Sequence, residues 1–108
     1  MNITKYDTRL AEVIRRLVDY LQPDRIYLFG STARGQAGPD SDYDLLVLVP
    51  DRVARDRERL RHVYERLWGT GLAADVLVWS KERFESRLHV SASLPATVAR
   101  EGVVLYAA

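Results

Sequence analysis

Short apolar runs of strand-like composition alternate along this chain with segments whose apolar residues recur at helical spacing. The strand-like runs cover residues 25–29, 44–49, 74–79 and 103–106. They are rich in β-branched or aromatic residues and are closed by glycine, proline or polar residues, as is typical of strands. The alternation predicts the order α-β-α-β-α-β-α-α-β. That order defines a mixed α/β (α+β) fold in which helices pack on a small β-sheet, with the last strand at an edge.

The helical segments between these strands have identifiable ends. Asp7 or Thr8 is placed to cap the first helix, which Pro23 ends. The apolar positions of that helix follow i, i+3, i+4 spacing at Leu10, Val13, Ile14, Leu17, Val18 and Leu21. The same spacing predicts a second amphipathic helix, between the second and third strands, from Leu60, Val63, Tyr64, Leu67 and Trp68. Two further helices are predicted from capping residues, which are Ser80 for one and Pro95 and Gly102 for the other.

Composition and charge exclude several classes of protein. The 108 residues suit one domain spanning residues 1–108, and 47% hydrophobic with 29% charged residues is typical of soluble globular chains. The absence of cysteine excludes a disulfide framework, a thiolate nucleophile and a cysteine-ligated zinc site, and it suits a reducing cytoplasm. A net charge of +1 is far below that of a dedicated nucleic-acid binder. The apolar runs are too short to span a membrane, and the N-terminus lacks a signal-peptide pattern.

The segment from residue 51 to residue 66 is dense in arginine, but acidic residues are interleaved throughout. We therefore predict a solvated helix face with intrahelical ion pairs rather than a nucleic-acid surface. His62 and His89 have no partner at metal-ligand spacing, so packing or solvent-facing roles are predicted for them. Trp68 and Trp79 fall on apolar faces and are predicted to lie in the core.

Three aspartates stand at the beginnings of two predicted strands. Asp42 and Asp44 flank the start of the second strand, and Asp75 lies at the start of the third. Residues two apart on a strand point to one face, so the first two carboxylates are expected about 7 Å apart on that face. If the two strands pair, Asp75 completes a cluster of oxygen ligands that suits Mg²⁺ or Mn²⁺. For the pair taken alone, capping and turn formation remain open as simpler roles.

The turn after the first strand is a second candidate feature. Gly30 permits close approach to the main chain, and Ser31 offers a hydroxyl donor at the start of a short helix. Free N–H groups at such a position favour an anion such as a phosphate. Arg34 and Arg25 are candidates for additional charged contacts with a nucleotide. The Walker A pattern is absent, and taken in isolation the turn is also explained as an ordinary strand-to-helix connection.

In combination, the turn, the Asp42-x-Asp44 pair and the later acid resemble one family. Residues 29–49 carry the resemblance, and residues 99–106 at the C-terminal end are also similar. The family is the nucleotidyltransferase superfamily that includes DNA polymerase β, in particular its minimal members, the MNT domains. The resemblance implies a polymerase β-like nucleotidyltransferase fold over most of the chain.

The resemblance also implies roles for the candidate residues. Asp42 and Asp44 would hold two Mg²⁺ ions, and Asp75 matches the third acid, which helps to hold one metal and activates the acceptor hydroxyl. Gly30 and Ser31 would bind the β- and γ-phosphates of ATP. The implied reaction is an in-line displacement at the α-phosphate that releases pyrophosphate.

The minimal size points to one branch of the superfamily. Polymerases and tRNA or antibiotic nucleotidyltransferases attach further domains, whereas this chain resembles the MNT antitoxins, whose usual partner is a HEPN-domain ribonuclease toxin. That resemblance implies transfer of AMP from ATP to a tyrosine hydroxyl of the toxin, with no membrane and no direct nucleic-acid contact. Two alternatives stay open. One is an antitoxin that neutralises by binding alone, and the other is a transferase acting on a small hydroxylated molecule such as an aminoglycoside.

Overall fold

A four-stranded mixed sheet lies at the centre of the protein, whose computed structural model describes residues 6–35 and 42–108. The strands are β1 (Arg25–Phe29), β2 (Tyr43–Val49), β3 (Ala74–Ser80) and β4 (Val103–Ala107), in the order β3-β2-β1-β4. β1 is antiparallel to β2 and β4, whereas β2 and β3 are parallel. All four predicted strands are confirmed to within one residue at each end, and β4 is an edge strand as predicted.

Seven helices surround this sheet in the described ranges. They are α1 (Arg9–Leu21), α2 (Gly30–Ala33), α3 (Asp51–Ala54), α4 (Arg57–Arg61), α5 (Val63–Arg66), α6 (Lys81–Ser86) and α7 (Leu94–Glu101). The described chain contains no helix with the length and apolar character needed to cross a membrane. The predicted order of elements is confirmed except between β2 and β3, and the predicted loop at residues 38–41 lies outside the described residues.

Between β2 and β3, three short helices replace the single helix that the apolar spacing predicts. The Asp56 side chain accepts a hydrogen bond from the N–H of Arg59 (3.1 Å) and so caps the start of α4. His62, with φ −100° and ψ 9°, separates α4 from α5. The predicted ion pairs of this segment are confirmed, and they join Arg55 to Asp51, Arg59 to Asp56 and Arg61 to Glu58.

Alternation along the strands divides the core into two clusters, one on each face of the sheet. On the first face, Leu45, Val47 and Val49 of β2 pack with the apolar sides of α1 and α5. The other buried members of this cluster are Leu10, Val13, Ile14, Leu17, Leu21, Ile26, Leu28, Val53, Val63, Leu67, Val76 and Leu105. Each such side chain contributes about 1.5–3 kcal/mol when fully buried, so this larger cluster is the main hydrophobic contribution to folding.

The opposite face of the sheet, here called the α6–α7 face, carries the smaller cluster. Tyr27, Leu46 and Leu48 are buried there with Phe84 of α6 and Val98 of α7. The rings of Tyr27 and Phe84 stack with their centroids 5.8 Å apart. The helices that cover this face are short, so part of it remains open to solvent.

Of the two candidate caps of α1, Thr8 occupies the N-cap position without a side-chain cap hydrogen bond, and Asp7 makes the side-chain contact instead. The Asp7 carboxylate accepts a hydrogen bond from the N–H of Arg9 (2.9 Å), and its main-chain carbonyl accepts one from Leu10 (3.0 Å). Hydrogen bonding to the Arg9 side chain lowers the pKa of Asp7 to about 2. At the other end, Gln22 adopts a left-handed φ of 48°, and Pro23 prevents continuation of the helix.

The prediction that Trp68 lies in the core is wrong, because its side chain is 79% exposed. α5 ends at Arg66, so Trp68 lies beyond the helix that was expected to bury it. Its main-chain carbonyl accepts a hydrogen bond from Arg16 (2.7 Å). Trp79 differs, since it is half-buried and packs against the cluster of the α6–α7 face, which agrees with its predicted packing role.

Candidate active site

The turn between β1 and α2 requires glycine for two separate reasons. Gly30 has a φ of +77°, a left-handed conformation that residues with a Cβ atom adopt only with strain. In addition, a Cβ atom on Gly30 would overlap the Oδ2 atom of Asp44. The Asp44 carboxylate therefore packs directly against the main chain at the start of α2. This contact joins the two features that the sequence predicted separately, the phosphate-binding turn and the acidic cluster.

Strand pairing brings a second carboxylate beside Asp44. In the parallel β2–β3 pair, Asp44 and Asp75 are register partners, so they occupy neighbouring positions on the α6–α7 face. In the antiparallel β1–β2 pair, Phe29 lies opposite Asp44. Asp44 is half-buried and Asp75 is exposed. The strand pairing on which the prediction for Asp75 depended is confirmed.

The surroundings of Asp44 disfavour its charged form. Burial raises the pKa of the Asp44 carboxyl above its ordinary value, and the charges of Asp75 and Asp42 raise it further. None of the ion pairs within the two described ranges involves any of these three aspartates. A cation bound here would relieve the repulsion. Carboxylate oxygens are the ligands that Mg²⁺ prefers, so the residues present fit that ion.

Asp42 is placed differently from the other two aspartates. The sequence predicted that all three carboxylates converge, but residues 6–35 and 42–108 contain no group of three His, Cys, Asp or Glu side chains that could hold a metal ion. Asp42 is exposed and precedes Tyr43, the first residue of β2 to pair with β3. The strand ladder therefore fixes Asp44 and Asp75 but does not fix the orientation of Asp42.

Two hydroxyl side chains follow Gly30 in α2. Ser31 is half-buried, and no hydrogen bond within the described ranges involves its side chain. Thr32 is buried, and its Oγ1 atom has no hydrogen-bond partner among the residues that the structure describes. An unsatisfied buried hydroxyl costs about 1–3 kcal/mol. Nothing in the sequence marks Thr32, because threonine in a polar turn gives no signal of burial.

The structure separates the two arginines that were candidates for phosphate contacts. Arg34 follows α2, and its guanidinium lies 3.7 Å from the Glu101 carboxylate of α7. Arg25 lies at the other end of β1 from Gly30, where it donates a hydrogen bond to the Tyr27 hydroxyl (3.0 Å). A five-residue strand is about 13 Å long, so the suggestion that Arg25 contacts the same anion is wrong. Arg34 remains beside the turn.

Comparison with known protein families agrees with this arrangement. The family model for the nucleotidyltransferase domain matches residues 9–102. This chain therefore belongs to the nucleotidyltransferase domain family, and the mixed α/β nucleotidyltransferase fold predicted from the sequence is confirmed. No curated protein matches the chain significantly.

Two solved structures are similar to the chain. One is a crystal structure of a toxin-antitoxin with AMP-PNP, with 25% sequence identity and a TM-score of 0.56 over 94% of this chain and 75% of that one. The other is a Sulfolobus solfataricus protein assigned provisionally as a nucleotidyltransferase, with 19% identity and a TM-score of 0.54 over 98% of this chain and 93% of that one. The second similarity shows the fold alone. With the family match, the first confirms the resemblance to minimal nucleotidyltransferase domains.

Proposed function

We propose that this chain is a Mg²⁺-dependent nucleotidyltransferase that transfers AMP from ATP to a tyrosine hydroxyl of a HEPN-type ribonuclease toxin, and so acts as its antitoxin. The observation that carries the proposal is the packing of Asp44 against Gly30, with Asp75 beside it in register. Carboxylates and a phosphate-binding type of turn are thereby in contact at one end of the sheet. Family membership supports the transferase class.

The metal-binding role is proposed for the three aspartates. Asp44 and Asp75 would hold Mg²⁺ with Asp42, and the family resemblance implies two ions. When bound, Mg²⁺ neutralises phosphate charge and increases the acidity of the attacking hydroxyl. Asp44 would gain most from the cation, because its own environment raises its pKa.

The remaining steps are assigned to side chains around the turn. Gly30 and Ser31 hold the β- and γ-phosphates through main-chain N–H groups and the serine hydroxyl, and Arg34 adds a charged contact. The acceptor oxygen bonds to the α-phosphorus while the bond from that phosphorus to the α–β bridging oxygen breaks, so pyrophosphate leaves. Asp75, which is exposed, takes the proton of the acceptor hydroxyl.

A protein partner and an adenine nucleotide are supported by the similar solved structure, which is of a toxin-antitoxin with AMP-PNP. HEPN identity and tyrosine modification come from the resemblance to MNT antitoxins. The proposal implies a cytoplasmic protein, because that is where ATP and a ribonuclease toxin are together. A non-catalytic antitoxin, or a transferase for a small hydroxylated molecule such as an aminoglycoside, would give different results in the tests that follow.

Intact-mass spectrometry of the protein that co-purifies with this chain tests the proposal directly. Under the proposal, the partner gains mass in steps of one AMP when ATP and Mg²⁺ are present, and gains none with EDTA. A partner that is neutralised at its unmodified mass would support the binding-only antitoxin. AMP found on an aminoglycoside and absent from the partner would support the small-molecule transferase.

Ser31→Ala tests the phosphate site. The substitution removes a charge-assisted hydrogen bond, so nucleotide binding should weaken by about 1–3 kcal/mol while the melting temperature without nucleotide stays close to that of wild type. Calorimetric titration of ATP with Mg²⁺ measures the effect. Ser86→Ala is the matched control, because the Ser86 hydroxyl donates to a main-chain carbonyl at the end of α6 and its loss should leave affinity unchanged. Equal affinities in all three proteins would exclude Ser31 from the site.

A dedicated protein acceptor predicts a large difference between substrates. Positioning supplies much of the rate in group transfer, so modification of the co-purifying partner should be at least about 100-fold faster, as kcat/KM, than modification of free tyrosine. Transfer of radiolabelled AMP to each acceptor at equal concentration measures the ratio. Comparable rates on the partner and on unrelated proteins would contradict a dedicated partner.

A further inference from the structure

A row of side chains on β3 begins at the candidate catalytic carboxylate. Asp75, Leu77 and Trp79 alternate along the strand with Val76 and Val78, which pack into the cluster on the first face. Asp75 is exposed, Leu77 is 41% exposed, and Trp79 is half-buried. These three residues, here called the β3 row, share the α6–α7 face with Asp75 at one end and Trp79 at the other.

Leu77 has an unusual exposure for its position in the sheet. Its register partner on β2 is Leu46, which is completely buried in the cluster of the α6–α7 face. The helices therefore cover β2 and leave the neighbouring position on β3 open. Residues two apart on a strand are about 7 Å apart, so an open apolar side chain lies next to Asp75. That is where the molecule carrying the acceptor hydroxyl would lie.

The far end of the β3 row carries a positive charge. The guanidinium of Arg83 lies 5.2 Å from the centroid of the Trp79 ring. Within the described ranges, no carboxylate pairs with Arg83. Its main chain is fixed, because its N–H donates to the Ser80 hydroxyl that caps α6 (3.1 Å). Together with Arg83, the row thus presents a carboxylate, an apolar side chain and a cation in sequence.

Tyr64 limits how a partner can approach the row. β3 is an edge strand, and the N–H of Val76 donates to the Tyr64 hydroxyl (2.9 Å), which donates in turn to the Val76 carbonyl (3.5 Å). The middle of the edge is therefore already hydrogen-bonded, and a strand pairing there would have to displace Tyr64. A partner segment is expected to lie across the face of the row instead.

We propose that the β3 row receives an extended segment of the acceptor protein. The hydroxyl residue of that segment lies at Asp75, an apolar side chain packs on Leu77, and an acidic side chain lies at Arg83. The inference rests on the proposed transferase function and deepens it by naming the chemistry of the partner. Alternate side chains of an extended segment repeat about every 7 Å, which is also the spacing of alternate residues along β3. A segment with a hydroxyl, an apolar and an acidic residue at alternate positions would therefore match the row and Arg83 in spacing and charge.

Calorimetric titration with two synthetic nine-residue peptides tests the proposal. Each peptide has tyrosine, leucine and glutamate at alternate positions separated by serine, one in each chain direction. Leu77→Ser should raise the Kd of the better peptide by about 5- to 10-fold, because apolar contact area is lost. Arg83→Glu should raise that Kd by about 3-fold. The Arg83→Glu variant should also prefer a peptide with lysine in place of glutamate, whereas wild type should prefer the glutamate peptide. Leu88→Ser and Arg57→Glu are matched controls, because both side chains are exposed and lie outside the β3 row, and both should bind like wild type.

Measurements of peptide binding and of AMP transfer distinguish the proposed docking surface from the proposed transferase function. If neither peptide binds, or if Leu77→Ser and Arg83→Glu bind like wild type, the β3 row is not an acceptor site. Unchanged melting temperatures exclude misfolding as a cause of weaker binding, since both side chains are on the surface. Transfer of AMP to the peptide tyrosine is measured in the same samples. Binding without transfer would contradict the proposed function and leave the docking surface intact, whereas transfer that ignores leucine and glutamate would contradict the docking surface alone.

Discussion

Asp44→Asn is expected to abolish nucleotidyl transfer while leaving the protein at least as stable as wild type in EDTA. Burial and the charges of Asp75 and Asp42 raise the pKa of Asp44 in the folded protein. An acid whose folded pKa is raised destabilises the fold when it is ionised. That penalty is absent below the unfolded pKa of about 3.9, grows as the pH rises through it, and is complete above the folded pKa. At neutral pH, replacing the charged carboxylate by an amide therefore removes a destabilising interaction.

The same substitution removes a proposed metal ligand, so its effect should reverse when ligands are added. Wild type should gain about 2.7 kcal/mol at a nucleotide concentration 100 times the Kd, because a ligand that binds only the folded state stabilises it. Asp44→Asn should gain little. Transfer should fall on the order of 100-fold or more, since metal and carboxylate act together in the transition state. Thermal melting at pH 3.5 and pH 7.5, with EDTA or with Mg²⁺ and a non-hydrolysable ATP analogue, measures the effects on stability, and transfer of radiolabelled AMP measures the loss of activity.

Asp24→Asn is the matched control for this experiment. Asp24 pairs with Lys81 (3.4 Å) and is remote from the turn, so its substitution should leave transfer and the response to Mg²⁺ unchanged. A purely structural Asp44 would behave in the opposite way to the expectation above. Its substitution would lower stability in EDTA and preserve the stabilisation by Mg²⁺ and nucleotide, which would contradict both the metal site and the enzymatic function.

Gly30→Ala is expected to damage stability and transfer together. A Cβ atom at φ +77° costs about 1–2 kcal/mol in backbone strain, and its overlap with Asp44 Oδ2 forces either the carboxylate or the turn to move. Together these effects should destabilise the fold by about 2–4 kcal/mol. Since either movement separates the turn from the carboxylate, the remaining folded protein should also lose at least about 10-fold in transfer. Urea unfolding and transfer assays under folding conditions measure the two effects separately.

Substitutions at two other glycines distinguish backbone strain from the clash with Asp44. Gly69 has a φ of +87° and open space around its Cβ position, so Gly69→Ala should show the strain alone, about 1 kcal/mol, with normal transfer. A Cβ on Gly102 would lie 2.5 Å from the Val98 carbonyl oxygen, so Gly102→Ala should destabilise the fold through a clash away from Asp44. If Gly30→Ala matched Gly69→Ala in both measurements, the close contact between the turn and Asp44 would have no functional importance.

The strands were accessible from the sequence because short-range chemistry determines them. Periodicity fixes the bounds of β2 and β3, and alternation then assigns Asp44 and Asp75 to one face once the strands are paired. Parallel pairing in register was not readable from either strand, since it depends on how the intervening helices return the chain. The position of Asp42 was not readable either, because no strand ladder constrains it.

The errors have a common physical origin. The apolar spacing that includes Tyr64 and Trp68 describes one long helix, but capping by Asp56 and the break at His62 divide the segment. α5 ends at Arg66, and Trp68 beyond it is exposed. Likewise, Arg25 has the charge needed for a phosphate contact, but it lies at the opposite end of β1 from the turn. Local composition determines the chemistry of a side chain, whereas tertiary packing determines its position in the fold.

The parallel pairing of β2 with β3 affects when, during synthesis and folding, the candidate active site can form. Asp44 and Asp75 are neighbours in space but are separated by the whole crossover that contains α3, α4 and α5. A nascent chain that has emerged only as far as β2 therefore carries the glycine turn, Asp42 and Asp44 but lacks Asp75. Closing such a crossover costs loop entropy before any pairing compensates for it, so the site forms late and with the sheet as a whole. Under the proposed function, an incomplete chain that lacks Asp75 is expected to be inactive in transfer.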